Sequence, residues 1–320
     1  GVPEIAEAMV SGGIRRLGDS RLENLRKLSG LDAEKWLIRM PALSEAEETV
    51  RLADVSLNSE WRVIRALDAA AERAGKPHKI ILMADLGDLR EGYADEKELL
   101  ETAEKTAGLR HARLYGVGTN LNCFCFVHPD RQKMEELCSL AEHLPMAEAP
   151  VVSGGNSASL RLMAEGNIPA GVNNLRLGES LLLGRERCGY TYLPGTRRDA
   201  FLLSAEIIEL KEKPSAPWGE IGKDSYGRYP SLPVNRGIRK RAILALGRQD
   251  CDPETMRPTD PAITILGASS DHMILDVTDS GIDYRVGDPI SFELGYFSLL
   301  RACTSAYVEK RYLAGIKNYA

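Results

Sequence analysis

The sequence has few of the residues from which metal sites and disulfide frameworks are built. It contains six cysteines and five histidines in 320 residues, and neither set shows the close spacing of metal ligands. In particular, it has no Cys-x-x-Cys pair, the spacing that is typical of structural zinc sites. We therefore expect reduced thiols, no metal and a cytoplasmic protein.

Long apolar runs and an excess of positive charge are absent as well. A membrane-spanning helix needs about 20 consecutive apolar residues, and no segment of the sequence approaches that length. The start of the chain does not resemble a secretory signal. The formal net charge is −5, so we expect neither nucleic acid nor a membrane surface as a partner.

Apolar runs that alternate with amphipathic stretches are plentiful up to about residue 200. Residues 61–74, 96–107 and 129–144 carry apolar side chains at helical spacing. Strand-like runs that alternate with such helices predict a parallel sheet with helices outside it. Seven strand-like runs are present, at residues 14–18, 36–40, 54–58, 79–85, 113–119, 150–154 and 173–178.

The number of these runs indicates a barrel. A closed β/α barrel has eight strands and often binds phosphate with the loops that follow its last two strands. The sixth and seventh runs lead into Ser-Gly-Gly-Asn-Ser (153–157) and Leu-Arg-Leu-Gly-Glu-Ser (175–180). We predict an α/β protein with a (β/α)8-type barrel whose first strand precedes residue 1. An open doubly wound sheet is the alternative, although its Gly-x-Gly-x-x-Gly fingerprint is absent.

The first of these two loops has the composition of an anion site. Gly154 and Gly155 let backbone amides approach a ligand closely. Asn156 and Ser157 can cap a helix, and a helix N-terminus favours a phosphate. An ordinary strand-to-helix turn capped by Ser157 is the alternative interpretation.

Two arginines follow predicted strands and need partners. Arg176 lies within an apolar run, where an unpaired charge is costly. It therefore either binds a ligand or pairs with Asp85 or Glu179. Arg90 lies in Asp-Leu-Arg-Glu-Gly and is either a site residue or a surface partner of Glu91 at the start of a helix.

After about residue 200 the pattern changes to short alternating runs separated by turns rich in Gly, Pro and Asp. Such a pattern is typical of antiparallel β structure. We predict two domains, a barrel over residues 1–200 and a β domain over residues 201–320. The predicted strands of the second domain are residues 202–210, 239–246, 262–266, 273–277, 289–294 and 304–309.

Four motifs together resemble one enzyme family. They are Asp-Leu-Gly-Asp-Leu-Arg-Glu-Gly (85–92), Ser-Gly-Gly-Asn-Ser (153–157), Leu-Arg-Leu-Gly-Glu-Ser (175–180) and Gly-Ala-Ser-Ser-Asp-His (267–272). The sequence resembles the alanine racemase-like enzymes that use pyridoxal 5′-phosphate (PLP), and within them the ornithine racemase branch. The resemblance implies a PLP-binding barrel, a C-terminal β domain and a homodimer with shared active sites.

The resemblance also implies roles for individual residues. Arg176 would face the pyridine nitrogen of the cofactor, Arg90 its phenolic oxygen, and Asn120 would lie against the ring. Ser270 and Asp271 would form the turn that a partner subunit contributes near the substrate carboxylate. The phosphate would be bound by Asn156, Ser157, Gly178 and Glu179, with Tyr307 as a further ligand.

Three positions differ from the family pattern. The Schiff-base lysine ends the first barrel strand, which we expect ahead of residue 1, and Lys79 lies at the wrong end of its strand to replace it. The family's tyrosine base falls at Arg248. Its carbamylated lysine is replaced by Met83.

The resulting hypothesis is a PLP-dependent racemase for ornithine or a similar basic amino acid, with proton removal at Cα. The alternatives are a non-catalytic PLP carrier or inactive fragment, and a metal-free barrel enzyme for sugar phosphates. Cys123, Asp271 and His272 are candidates for the second base. Asp88, Glu91 and Glu179 are candidates to attract a distal ammonium of the substrate, and the alternative is that they are solvated surface carboxylates.

Overall fold

The computed structural model describes residues 1–223, 227–229 and 234–313. The chain divides into two compact units, Gly1–Thr196 and Arg197–Ala320. The boundary expected from the sequence, after residue 200, lies a few residues beyond this division.

The first unit is built on a sheet of six parallel strands that pair in sequence order. Each strand is followed by helical structure, which is the β/α arrangement predicted from the alternating pattern. The strands are β1 (Arg16–Asp19), β2 (Glu34–Leu37), β3 (Val55–Asn58), β4 (His78–Ala84), β5 (Ala112–Thr119) and β6 (Val151–Ser153).

The predicted seventh strand, residues 173–178, is reduced to a single parallel bridge between Ser153 and Asn174. The cause is local. The side-chain oxygen of Asn173 accepts the backbone N–H of Val152 at 2.9 Å, and the Asn174 side chain accepts the Ser153 hydroxyl at 2.5 Å. A side chain thus takes the Val152 amide, whereas the backbone amides of Asn173 and Asn174 still donate to the Val152 carbonyl and that of Gly154 donates to the Asn174 carbonyl.

The helices of this unit begin and end at recognisable signals. Gly75 takes a left-handed conformation and ends the helix that begins at Trp61. Asp130 caps the helix predicted to begin at residue 129, because its carboxylate accepts the Lys133 N–H at 2.8 Å. The helices are α1 (Pro3–Ser11), α2 (Leu22–Lys27), α3 (Ala46–Leu52), α4 (Trp61–Ala74), α5 (Glu96–Ala107), α6 (Arg131–Glu142), α7 (Leu160–Ala164) and α8 (Glu179–Leu183).

Both faces of the parallel sheet are buried, as β4 illustrates. Ile80 and Leu82 pack with the core that includes the helices, whereas Ile81 and Met83 pack with Trp36 on the other face. A strand buried on both sides reads as a continuous apolar run, which explains why β4 was evident in the sequence. This packing fixes the carboxyl ends of the strands, where the polar loops begin.

The second unit is built on an antiparallel sheet, whose strands are β7 (Leu202–Pro214), β8 (Ile238–Leu244), β9 (Met256–Pro258), β10 (Thr264–Ala268), β11 (Met273–Asp276) and β12 (Pro289–Leu294). They pair in the order β10-β11-β8-β7-β12-β9. The prediction of a strand at residues 304–309 is wrong. Thr304 instead ends helix α9 (Tyr296–Thr304), which buries Leu299 and Ala302 at helical spacing.

Over the part of the chain that the structure describes, no helix combines the length and the apolar character needed to cross a membrane.

Candidate functional site

The polar loops that follow β4, β5 and β6 lie together at one edge of the first unit, because parallel strands end at the same edge. Hydrogen bonds link all three. Asn120 after β5 accepts a hydrogen bond from Arg176 and donates one to Glu91 after β4. Asn156 after β6 donates to the backbone carbonyl of Leu121 at 2.9 Å. This edge is where a β/α fold places its chemistry.

Ser157 is the centre of the predicted phosphate cradle. Its buried hydroxyl accepts the backbone N–H groups of Gly178 and Ser180 at 3.3 and 3.2 Å, and it lies 3.1 Å from the Ser180 hydroxyl. Asn156 caps the same turn by accepting the Ala158 N–H at 2.8 Å. Backbone and hydroxyl donors thus converge at one point, which is the donor set that a phosphate needs.

Space for a ligand lies beside Gly178. Gly178 is exposed, and a Cβ built there would meet no heavy atom within 4 Å. Gly155 has a φ of +99°, which favours glycine. The residues present therefore fit a phosphate group, with open space next to the converging donors.

Arg176 is held by neutral oxygens. Its guanidinium donates to the Thr119 carbonyl at 2.7 Å, to the Asn120 side-chain oxygen at 2.8 Å and to the Ser153 hydroxyl at 2.5 Å. Burial lowers its pKa to about 10. Among the described residues it forms no ion pair, so the predicted alternative of pairing with Asp85 or Glu179 is wrong.

The carboxylate of Glu179 has other partners. It is buried and pairs with Arg185 at 2.8 Å and with Arg187 at 3.4 Å. Arg187 in turn donates to the backbone carbonyl of Asn122 at 3.2 Å. The side chain of Glu179 therefore fixes the start of α8 and the neighbouring loops, and only its backbone remains a candidate for the phosphate cradle.

Arg90 makes the ion pair with Glu91 that the sequence suggested, but in a different setting. The pair lies in the loop after β4, well before α5 begins at Glu96. The Arg90 Nη2 lies 2.6 Å from Glu91 Oε1, and this hydrogen bond raises the pKa of Arg90. Because Glu91 also binds Asn120, the structure joins Arg90, Asn120 and Arg176 in one chain of contacts.

None of the three acidic residues considered for a substrate ammonium is free. Glu91 and Glu179 bind arginines, as described above. Asp88 is buried and accepts the backbone N–H groups of Cys123, Phe124 and Val127 at 2.9, 2.8 and 3.2 Å. It therefore closes the loop after β5.

Lys79 and Cys123 are also placed by the structure. Lys79 is the second residue of β4, so it lies at the end of the strand away from the loops, and its ammonium binds Glu34 at 2.6 Å. The Cys123 thiol accepts a hydrogen bond from Asn156 at 3.2 Å. Burial raises the pKa of this thiol, which disfavours the thiolate that a base needs.

Three predicted site residues lie in the second unit. Ser270 and Asp271 form the exposed turn between β10 and β11, where the Ser270 hydroxyl donates to Asp271 at 2.5 Å. Gly247 supports this turn, since a Cβ there would lie 2.0 Å from the Ser270 carbonyl oxygen. Tyr307 follows α9 and is 79% exposed. The roles of these three residues stay predictions.

Ser180 and Asn174 were missed by the sequence reasoning. Ser180 is the last residue of the Leu-Arg-Leu-Gly-Glu-Ser motif (175–180) and lies in the first turn of α8, so its place in that motif was the available signal. Asn174 orients the hydroxyl of Ser153. Among the described residues, no group of three or more His, Cys, Asp and Glu side chains is placed to hold a metal ion.

Comparisons with known proteins show which proteins this chain is similar to. Residues 1–186 match the family model described as alanine racemase, N-terminal domain. The chain is 46% identical over 313 residues to an ornithine racemase of Acetoanaerobium sticklandii, covering 97% of this chain and 88% of that protein. It is 41% identical over 317 residues to a lysine racemase of Thermotoga maritima, covering 98% and 88%.

Solved structures share the fold at low identity. An alanine racemase from Bartonella henselae with covalently bound pyridoxal phosphate is 18% identical with a TM-score of 0.65, covering 91% of this chain and 79% of that one. A D-threonine aldolase from Filomicrobium marinum is 14% identical with a TM-score of 0.67, covering 93% and 78%. Because that name denotes a different reaction, the shared fold alone does not specify the chemistry.

Proposed function

The chain belongs to the alanine racemase N-terminal domain family, and on that premise we propose that it is a PLP-dependent amino-acid racemase acting on ornithine. One observation carries the proposal. The donors around Ser157 and the guanidinium of Arg176, which has only neutral partners, lie at the same edge of the barrel sheet. A phosphorylated pyridine ring has a phosphate for the donors around Ser157 and a ring nitrogen for Arg176.

The cofactor, when bound, supplies the electron sink that stabilises negative charge at Cα of the substrate. The residues of the chain hold and tune it. Ser157, Gly178 and Ser180 would hold the phosphate through a hydroxyl and two backbone amides, which now donate to the Ser157 oxygen. Arg176, with a pKa of about 10, stays protonated near pH 7 and would donate to the ring nitrogen. Such a partner would leave that nitrogen unprotonated.

Further roles complete the proposal. Arg90 would donate to the phenolic oxygen of the cofactor, and Asn120, whose amide is fixed by Arg176 and Glu91, would lie against the ring. We propose a cytoplasmic homodimer in which Ser270 and Asp271 of one subunit contact the substrate carboxylate bound to the other. Sedimentation at micromolar concentration tests the dimer, and a monomer at those concentrations would argue against it.

The choice of a basic substrate rests on relatives named for ornithine and lysine. The two relatives match nearly all of this chain, whereas the acidic residues of the first-unit loops are engaged internally. The side-chain ammonium of the substrate would therefore bind to groups other than Asp88, Glu91 and Glu179. Ornithine is proposed before lysine because the ornithine racemase shows the higher identity.

The test is racemisation of L- and D-ornithine by a protein that carries the family's Schiff-base lysine, followed by chiral chromatography with and without added PLP, with L-lysine and L-alanine as comparison substrates. We expect racemisation that depends on PLP and is fastest with ornithine. Cofactor binding without racemisation of any amino acid would favour a non-catalytic PLP carrier. A protein that does not bind PLP would contradict the proposal as a whole.

A further inference from the structure

Glu91 occupies a place between the two arginines of the site to which no role has been assigned. Its carboxylate accepts hydrogen bonds from both the Nε and the Nη2 of Arg90. The oxygen that binds Nη2, Oε1, also accepts a hydrogen bond from Asn120 Nδ2 at 2.5 Å. A bidentate contact of this kind fixes the plane of a guanidinium as well as its position. The Glu91 side chain is 13% exposed, against 43% for Arg90, so the carboxylate is the buried partner.

Asn120 relays this contact to Arg176. The amide nitrogen of Asn120 faces Glu91, and its oxygen accepts from Arg176 at 2.8 Å and from Asn156 at 3.4 Å. An amide with a carboxylate on one side and a guanidinium on the other has one favourable orientation, because the nitrogen donates and the oxygen accepts. The negative charge of Glu91 therefore sets which way the Asn120 amide points.

The backbone holds Glu91 at this place. Gly92 has a φ of +122°, and a Cβ there would lie 2.6 Å from the backbone nitrogen of Asp85. The next residue, Tyr93, exchanges backbone hydrogen bonds with Asp85 and Met83 at 2.9 and 2.8 Å. The loop thus packs against the end of β4, and Glu91 lies at the edge of the sheet where β5 ends.

We propose that Glu91 is the positioning residue of this site, which holds Arg90 and the Asn120 amide in place before a cofactor binds. The inference rests on the proposed function, because the groups that it positions are those assigned to the cofactor. It also explains why a buried acid lies beside two cations: its single negative charge offsets part of their mutual repulsion.

The first experiment is carried out without cofactor. Hydrogen–deuterium exchange is compared for the wild-type protein, Glu91→Gln, Glu91→Asp and the control Glu135→Gln, which removes a carboxylate from an exposed Arg131–Glu135 pair on α6. We expect Glu91→Gln to raise exchange in residues 88–93 and 119–123 by about tenfold. Unchanged exchange in both segments, with the protein still folded, would overturn the proposal.

The second experiment measures affinity for 4′-deoxypyridoxine 5′-phosphate by fluorescence titration, because this probe keeps the ring and phosphate but cannot react with an amine. Glu91→Gln is expected to weaken binding about tenfold, Glu91→Asp to restore most of it, and Glu135→Gln to leave it unchanged. In an Arg90→Ala, Asn120→Ala background, Glu91→Gln is expected to add less than twofold, because both groups that it positions are gone.

The outcomes distinguish the proposed function from the proposed role of Glu91. A wild-type protein that does not bind the probe contradicts the proposed function. A wild-type protein that binds, together with an equally tight Glu91→Gln variant or with fully additive losses when Arg90, Asn120 and Glu91 are all replaced, overturns the role of Glu91 and leaves the function intact.

Discussion

Arg176 in the first unit and Arg239 in the second are both partly exposed to solvent, yet their surroundings are opposite. Arg239 pairs with Asp276 at 2.8 Å and also binds Asp279, and these hydrogen bonds raise its pKa. Arg176 has only carbonyl, amide and hydroxyl oxygens as partners. A cation neutralised by carboxylates serves the fold, whereas a buried cation that retains its full charge is suited to a ligand.

The largest effect is expected when the charge of Arg176 is removed. We expect Arg176→Gln to reduce racemisation by about 100-fold or more, because removing one preorganised donor from an active site has costs of this size. The matched change Arg239→Gln should lower the melting temperature and leave the specific activity of the folded protein unchanged. Initial rates and thermal melts of both variants check this. Equal losses of activity would remove the distinction between the two arginines.

The second prediction concerns the core of the first unit. His78 is fully buried, its Nε2 lies 2.8 Å from the Ser56 hydroxyl, and burial lowers its pKa from 6.5 to about 4. As the pH falls below 6.5, the unfolded chain binds a proton that the folded protein excludes. The stability present above pH 6.5 is therefore lost towards pH 4, by up to roughly 3 kcal/mol.

Urea unfolding at pH 7 and pH 4.5 measures this loss. In His78→Gln the pH dependence should shrink by most of that amount, although the variant is less stable at pH 7. His272, which lies on an exposed turn of the second unit, provides the control. A His272→Gln variant with the smaller pH dependence would contradict the assignment to His78.

A smaller effect is expected from two glycines with opposite surroundings. Gly178→Ala adds a methyl group to open space, so we expect an unchanged melting temperature and about tenfold weaker binding of PLP, since the methyl would enter the space of the phosphate. Gly247→Ala would place its Cβ against the Ser270 carbonyl, so it should destabilise the protein by about 2 kcal/mol. Weakened folding in both variants would show that Gly178 also has a structural role.

Elements that depend on local pattern were predictable from the sequence. The alternation of β4 with α4 and α5 follows from apolar spacing and from helix signals such as Gly75. The reduced seventh strand was not predictable, because it depends on the Asn173 side chain binding the Val152 amide of the neighbouring strand. Helix α9 was missed because its apolar residues stand near short alternating runs that favour strands.

The sequence predicted which residues form the site better than it predicted their contacts. Ser157, Arg176 and Asn120 were named from motifs, and the structure brings them together. The sequence left the partners of Arg176 open, since pairing with Glu179 depends on where the side chains of Arg185 and Arg187 lie. The link from Glu91 to Asn120 spans 29 positions and depends on the folded edge of the sheet, so no local pattern indicates it.

The most direct measurement is a crystal structure of the protein with bound PLP. The account predicts the phosphate at the Ser157 hydroxyl and the Gly178 and Ser180 amides, and the ring nitrogen within hydrogen-bond distance of the Arg176 guanidinium. A cofactor bound at another surface, or bound here with Arg176 still directed only at Ser153, Thr119 and Asn120, would contradict it.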